Sequence, residues 1–296
     1  MRYRKGIILA GGKGTRLAPI TSVLSKQLLP LYDKPMIYYP LSTLMLCGIR
    51  DILIITSPSM KNLYQDLLGD GKHWGLNLFF EIQEKPQGIA QSILIGEEFL
   101  ATSPVVIALG DNLFHGNDLI DLLQSANDRT KGATIFAYSV NDPENYGVLD
   151  FNNSGNIINI EEKPKKPKSS FVVTGLYFYD NSVIEKAKKI DFSPRGELEI
   201  TSINNQYLNE SLLNVEMMGR GYTWLDTGTF ESLHAASSYV QTLENRQGLK
   251  IGCPEEVAWR KGWINNRQLT ELAIPYENSS YGQYLLSLLK NTQYYF

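Results

Sequence analysis

Apolar runs and amphipathic stretches alternate through the first third of the chain. Residues 7–10 read as a short buried strand that runs straight into glycines, and residues 52–56, 78–82 and 105–109 repeat the pattern. Between the first two runs, residues 37–47 are apolar with a helical period, and Gly48 stands where a C-terminal cap belongs. Strands this apolar, separated by helices, predict an α/β fold with a parallel sheet covered on both faces. The middle of the chain differs. Residues 134–140 and 172–179 read as strands, and residues 146–160 as a hairpin turning at Asn152-Asn153-Ser154-Gly155, so the sheet is expected to be mixed. From Phe230 onward the pattern is mostly helical, ending in residues 281–289 and an aromatic tail, Tyr294-Tyr295-Phe296. There is no internal repeat and no Ser/Gly linker, which favours one domain over residues 1–296 with a helical extension.

Composition narrows the function classes. Hydrophobic residues make up 43%, charged residues 20% and aromatics 11%, the balance of an ordered enzyme rather than a disordered chain. A net charge of −3 and a pI of about 5.7 argue against a nucleic-acid binder. Cys47 and Cys253 are the only cysteines, which excludes a disulfide scaffold, and with three histidines they offer no familiar zinc spacing. No apolar run approaches the roughly 20 residues of a membrane span. Residues 1–10 carry positive charge ahead of an apolar stretch too short for a signal-peptide core. A reducing, cytoplasmic location is expected, with the Asn-x-Ser triplets at Asn152, Asn209 and Asn278 chance matches.

The candidate chemistry begins at Leu9-Ala10-Gly11-Gly12-Lys13-Gly14-Thr15-Arg16-Leu17, where a strand feeds a glycine-rich turn. Glycines let a backbone approach a phosphate and aim N–H groups at it. The Walker pattern fails because Gly14 follows Lys13, and the dinucleotide fingerprint fails because Leu17 stands at its third glycine. Two cations belong to this region: Arg16, which can fork onto phosphate oxygens, and Lys26, a compact point charge. Taken alone, the segment also fits a tight βα turn with solvated charges. Asp111 and Asp226 each follow a short apolar segment and lie beside a glycine or within two residues of one. Together they could hold one Mg²⁺, which takes few carboxylates plus phosphates and water. Each alone could equally be a cap or turn former.

The run Gly11-Gly12-Lys13-Gly14-Thr15-Arg16-Leu17-Ala18-Pro19-Ile20-Thr21, then Ser25-Lys26-Gln27-Leu28-Leu29-Pro30 and Asp33-Lys34-Pro35-Met36-Ile37-Tyr38-Tyr39-Pro40, resembles the glucose-1-phosphate thymidylyltransferase family of sugar nucleotidyltransferases. The likeness continues through Gly110-Asp111-Asn112, Glu161-Glu162-Lys163-Pro164, Arg195-Gly196-Glu197-Leu198-Glu199-Ile200-Thr201 and Trp224-Leu225-Asp226-Thr227-Gly228, and spans nearly the whole chain. It implies the nucleotide-diphospho-sugar transferase (Rossmann-like) fold, with a mixed, mainly parallel central sheet flanked by helices. Residues 1–110 would form the nucleotide-binding half, 111–229 the sugar-phosphate half, and 230–296 a helical extension for oligomerisation or regulation.

The resemblance implies dTTP and glucose 1-phosphate as substrates, dTDP-glucose and pyrophosphate as products, and Mg²⁺ on Asp111 and Asp226. A sugar-phosphate oxygen would attack the α-phosphorus in line. That nucleophile is already ionised, since a second phosphate pKa is about 6, so no general base is needed. This suits a sequence with no promising His or Cys. Catalysis would rest on positioning and charge neutralisation by Arg16, Lys26, Lys163 and Arg195. The nucleotide would lie along Leu9, Gly11, Gly12, Gly14, Thr15 and Gln27. Gln83 offers the donor and acceptor that suit a thymine or uracil imide, with Pro86 and Gly88 beside it. Asn112, Tyr146, Gly147, Glu162, Val173 and Thr174 would line the hexose. In Lys163-Pro164-Lys165-Lys166-Pro167-Lys168, the lysines other than Lys163 read as a solvated run.

Trp259 and Trp263 read as helix packing. Nearby, His115, Gly116, Arg220, Glu256 and Arg260 resemble a secondary nucleotide site at which a dTDP-sugar end product would inhibit. The resemblance further implies a homotetramer and a place at the start of dTDP-rhamnose and related deoxysugar synthesis for surface polysaccharides. The nearest rival is a uridylyltransferase, although UTP-specific relatives carry a block closer to Lys-Glu-Met-Leu-Pro than to Lys26-Gln27-Leu28-Leu29-Pro30. A non-catalytic sugar-nucleotide sensor is the other alternative, disfavoured by the presence of both aspartates. A nicotinamide dehydrogenase is discounted by Leu17.

Overall fold

The computed structural model describes residues 3–290, so the aromatic tail at 294–296 lies outside the described residues. β1 (Lys5–Ala10) is followed by a small hairpin, β2 (Pro30–Leu31) and β3 (Lys34–Pro35), then by β4 (Asp51–Thr56), β5 (Asn77–Ile82), β6 (Val105–Leu109) and β7 (Asn112–Gly116). The second half contributes β8 (Ala133–Ser139), β9 (Gly147–Phe151), β10 (Ile157–Glu162), β11 (Phe171–Tyr179), β12 (Leu213–Met218) and β13 (Tyr222–Asp226).

A nine-stranded mixed sheet runs β10-β9-β11-β6-β1-β4-β5, with β8 pairing β11 and β12. β6, β1, β4 and β5 are mutually parallel, while β11 lies antiparallel to β6, β8 and β9. Within the parallel half, β1, β4 and β6 are buried on both faces, which explains their unbroken apolar runs, while β5 at the edge exposes one face. Ile8, Ile54 and Val106 point into one core with the helix Tyr38–Leu46, and Ile7, Leu53 and Ile107 into the other with Ile93 and Ile203. Each such side chain contributes about 1.5–3 kcal/mol by leaving water.

Most sequence expectations hold within a residue or two. The helix expected over 37–47 spans Tyr38–Leu46, and Gly48 follows it with φ +81. The hairpin forms as β9 and β10, its turn closed by Asn152 Oδ1, which accepts from the Ser154 and Asn156 amides at 3.0 and 2.9 Å. The chain beyond Phe230 is helical in Phe230–Gln247, Pro254–Arg260, Asn266–Ala273 and Ser280–Leu288. Among the described residues no helix is long and apolar enough to cross a membrane. β12, β7 and the pairing of β7 with β13 are not visible in the pattern, where only the short apolar segment ahead of Asp226 marks β13.

The ribbon matters most for the site. It lies outside the large sheet and pairs Asp226 with Asn112, Leu225 with Leu113 and Trp224 with Phe114. A second local structure supports the loops from below. Lys34 donates to Glu244 at 2.9 Å, and Lys250 donates to Glu244 at 2.6 Å and also to Asp33. This buried cluster fastens the β2–β3 hairpin to the helix Phe230–Gln247.

Candidate active site

β1 and β6 are adjacent and parallel, so the glycine turn and Asp111 leave the sheet at the same end, where open α/β sheets bind ligands. The chain can pass closely here because Gly110 has no side chain. A Cβ there would stand 2.9 Å from both the Leu9 carbonyl oxygen and Gln27 Cγ. Gly14 adopts φ +60, and its carbonyl accepts from the Leu17 amide and from Thr21 Oγ1, both at 2.8 Å. Residues Thr15–Leu17 then form a single 3-10 turn, with Leu17 buried and Arg16 exposed. At Gly12 an added Cβ would meet nothing within 4 Å, so the crest of the turn faces open space.

Lys26 is buried and ion-paired with Asp111, whose other oxygen accepts from Asn112 Nδ2 at 2.8 Å. Asn112 is oriented in turn by Trp224 Nε1, which donates to its Oδ1 at 2.6 Å. Burial opposes ionisation of Asp111, but Lys26 and the hydrogen bonds outweigh it and hold the carboxyl below its ordinary value. Asp226 shifts the other way. Burial, then the negative charge of Asp111, push it up against the pull of Lys26 and Arg16. The Tyr146 hydroxyl donates to Asp226, and the Tyr146 ring packs edge-on to Trp224 at 5.2 Å. Arg16 lies across Gly228, where a Cβ would stand 2.9 Å from a guanidinium nitrogen and 3.4 Å from an Asp226 oxygen. Two carboxylates and two cations thus meet at one point, with one carboxylate incompletely neutralised. That donor set suits a single hard divalent ion.

On the nucleotide side, Gln27 Oε1 accepts from Ser25 Oγ at 2.7 Å. Gln83 is buried against Gly11, where a Cβ would stand 2.4 Å from its Oε1. Gly88, at φ +102, presses on Leu198, whose carbonyl oxygen lies 2.4 Å from a built Cβ. Pro86 sits between them in the same loop.

On the other side, Glu162 and Gly147 are register partners, and Glu162 accepts from Thr201 Oγ1. Arg195 reaches Glu197 at 3.1 Å and both Glu162 and Glu199 at 3.4 Å. Lys163 is exposed at φ +44, a left-handed conformation unusual for a residue that carries a Cβ, fixed by its amide donating to the Tyr146 carbonyl at 2.9 Å. Val173 and Thr174 are buried on β11, and the Thr174 hydroxyl has no hydrogen-bond partner among the described residues.

Two participants have roles that the sequence does not assign, although Thr201 closes one of the motifs that carry the resemblance. Thr201 steadies Glu162, and Gln91 bonds Gln83, yet each is an ordinary polar residue at the start of a helix. A separate cavity of about 460 Å³ is lined by His115, Gly116, Glu256 and Arg260, together with Tyr39 and Lys250. Arg220 does not line it; it occupies the turn before β13. Trp259 and Trp263 pack against the core as expected.

A mixed sheet whose parallel strands deliver a glycine turn and an acid to one end, with cations converging on paired carboxylates, is the arrangement that nucleotidyl transfer calls for. The sequence model described as nucleotidyl transferase matches residues 5–242. A glucose-1-phosphate thymidylyltransferase from Xanthomonas campestris pv. campestris (strain B100) is 56% identical over 290 residues, 98% of each chain. The enzyme of that name from Neisseria meningitidis serogroup A is 55% identical, over 97% of this chain and 99% of its own. A Bacillus anthracis structure described by the same activity, solved with sucrose, superposes with a TM-score of 0.74 at 43% identity, covering 80% of this chain and 95% of that one. A UDP-glucose pyrophosphorylase complexed with UDP-glucose shares the fold at a TM-score of 0.71 and 21% identity, over 81% of this chain and 99% of that one. The chain belongs to the nucleotidyl transferase family, on its glucose-1-phosphate thymidylyltransferase branch.

Proposed function

We propose that this chain transfers a thymidylyl group from dTTP to α-D-glucose 1-phosphate, giving dTDP-glucose and pyrophosphate. The observation that carries this reading is the convergence of Arg16, the Lys26–Asp111 pair and Asp226 beside the glycine turn. Two polyanionic substrates repel each other, and these cations lower that cost. Arg16 forks onto the triphosphate from the exposed turn. Lys26 holds Asp111 ionised and adds positive charge behind the α-phosphate. Glu162, held by Thr201, accepts from sugar hydroxyls, and the unpartnered Thr174 hydroxyl supports a polar ligand beside it. Lys163 and Arg195 steady the sugar phosphate.

Asp111 and Asp226 are the residues that would hold Mg²⁺, and the raised Asp226 carboxyl supports this, since a cation relieves its repulsion from Asp111. Mg²⁺ supplies Lewis-acid neutralisation of phosphate charge when bound. The same reading takes the cavity around His115 and Glu256 as a regulatory site for a dTDP-sugar end product, and the protein as a cytoplasmic homotetramer acting early in deoxysugar synthesis.

The test is pyrophosphate release with Mg²⁺ across dTTP, UTP, dCTP and a set of hexose 1-phosphates. Release is expected to be fastest with dTTP and glucose 1-phosphate. Faster turnover of UTP would overturn the thymidylyl assignment, and binding without pyrophosphate release would indicate a sensor.

A further inference from the structure

Gln83 can read a pyrimidine only if its amide faces one way, because oxygen and nitrogen differ in what they accept and donate. Its orientation here is dictated by a chain of hydrogen bonds that begins at the main chain. The Gln87 backbone N–H, which can only donate, reaches Gln91 Oε1 at 3.0 Å. The Gln91 atom at that point must therefore be the oxygen. The same oxygen accepts from Gln83 Nε2 at 2.7 Å, so the Gln83 atom facing it must be the nitrogen. Gln91 Nε2 then donates to Gln87 Oε1 at 3.1 Å, which closes the circuit with every polarity matched.

The remaining end of the amide, Gln83 Oε1, is turned toward Gly11 and accepts no hydrogen bond among the described residues. An acceptor fixed at that place matches the N3–H of a thymine or uracil imide. It opposes cytosine, whose N3 is itself an acceptor. If the amide were free to flip, the nitrogen would face the base and cytosine would pair equally well.

We infer that Gln91 is a positioning residue for base choice: it locks the Gln83 amide with its oxygen toward the nucleotide and so excludes cytidine nucleotides. The inference rests on Gln83 as the base-reading residue. Gln91 sits at the first position of the short helix Gln91–Ile95, and its own side chain is spent on Gln83 and Gln87.

Three variants assayed with dTTP and dCTP test it. Gln91→Met removes the lock while keeping the length of the side chain. The KM for dTTP should rise roughly tenfold, the value of one oriented hydrogen bond, with kcat little changed. The dTTP-to-dCTP ratio of kcat/KM should fall by at least as much. Gln91→Glu retains an acceptor for both N–H groups and should restore most of the discrimination. Gln83→Met should raise the KM for dTTP. If Gln83→Met leaves that KM unchanged, the base-reading role fails and the inference with it. If Gln83→Met raises it but Gln91→Met leaves the ratio intact, or slows both nucleotides equally, the lock alone is refuted.

Discussion

Asp226 stands opposite Asn112 in the β7–β13 ribbon, one residue along from Asp111, and the two carboxylates shift in opposite directions. Lys26 claims Asp111, and Asp226 is left to feel its neighbour's charge. The pair is poised for a shared cation and uncomfortable without one.

Replacing either acid removes a fixed negative charge without changing its shape. Asp111→Asn and Asp226→Asn should each reduce kcat by about 10²–10³-fold or more, with the fold intact by circular dichroism. Near-normal turnover in both would remove the acids from the site.

The same electrostatics predicts a pH-dependent stability. Because the folded Asp226 carboxyl is pushed up, its contribution is fully present below its unfolded value and is lost as pH rises through the folded one. Without divalent ions, Asp226→Asn should match the parent in Tm below about pH 4, the unfolded carboxyl range, and exceed it by a margin that widens as pH rises through the folded value and then levels off. Adding Mg²⁺ at neutral pH should raise the parent and narrow the margin. A difference that stays flat with pH would contradict the assigned repulsion.

Arg16 is exposed and packs into no core, so its loss should act chiefly on chemistry, with a small loss of stability from the Asp226 charge it offsets. Arg16→Ala should cost about 10³-fold in kcat/KM, the scale of a phosphate-neutralising arginine, with Tm only slightly lowered. Lys168, exposed and paired with Asp150 at 2.5 Å, provides the control: Lys168→Ala should alter neither rate nor Tm.

Gly88 offers a backbone test. A methyl group there would meet the Leu198 carbonyl at 2.4 Å in a conformation, φ +102, that side chains rarely adopt. Gly88→Ala should cost about 1–3 kcal/mol and lower Tm accordingly, with the KM for dTTP rising as the base loop shifts. A variant of parental Tm would place the constraint elsewhere.

The parallel half of the fold was legible because strands buried on both faces leave an unmistakable apolar signature, as in Ile52, Leu53, Ile54 and Ile55. β7 and β12 were not, since Asn112 and His115 in the one and Asn214 and Glu216 in the other break the apolar run with polar groups whose reasons are tertiary. Of the site, Arg16, Asp111 and Asp226 could be read from glycines and strand ends. Gln91 could not, because nothing about a glutamine at a helix start reveals which partner it orients. The pairing of Lys26 with Asp111, across 85 positions, likewise exists only in three dimensions.

The side-by-side course of β1 and β6 has a consequence for how such a protein can change over time. Their alignment is written in main-chain hydrogen bonds, which every amino acid except proline supplies alike. Substitutions in the interior can therefore loosen or tighten the scaffold while the turn that grips phosphate and the acid at position 111 keep their spacing, leaving specificity to be tuned by the few loops around them.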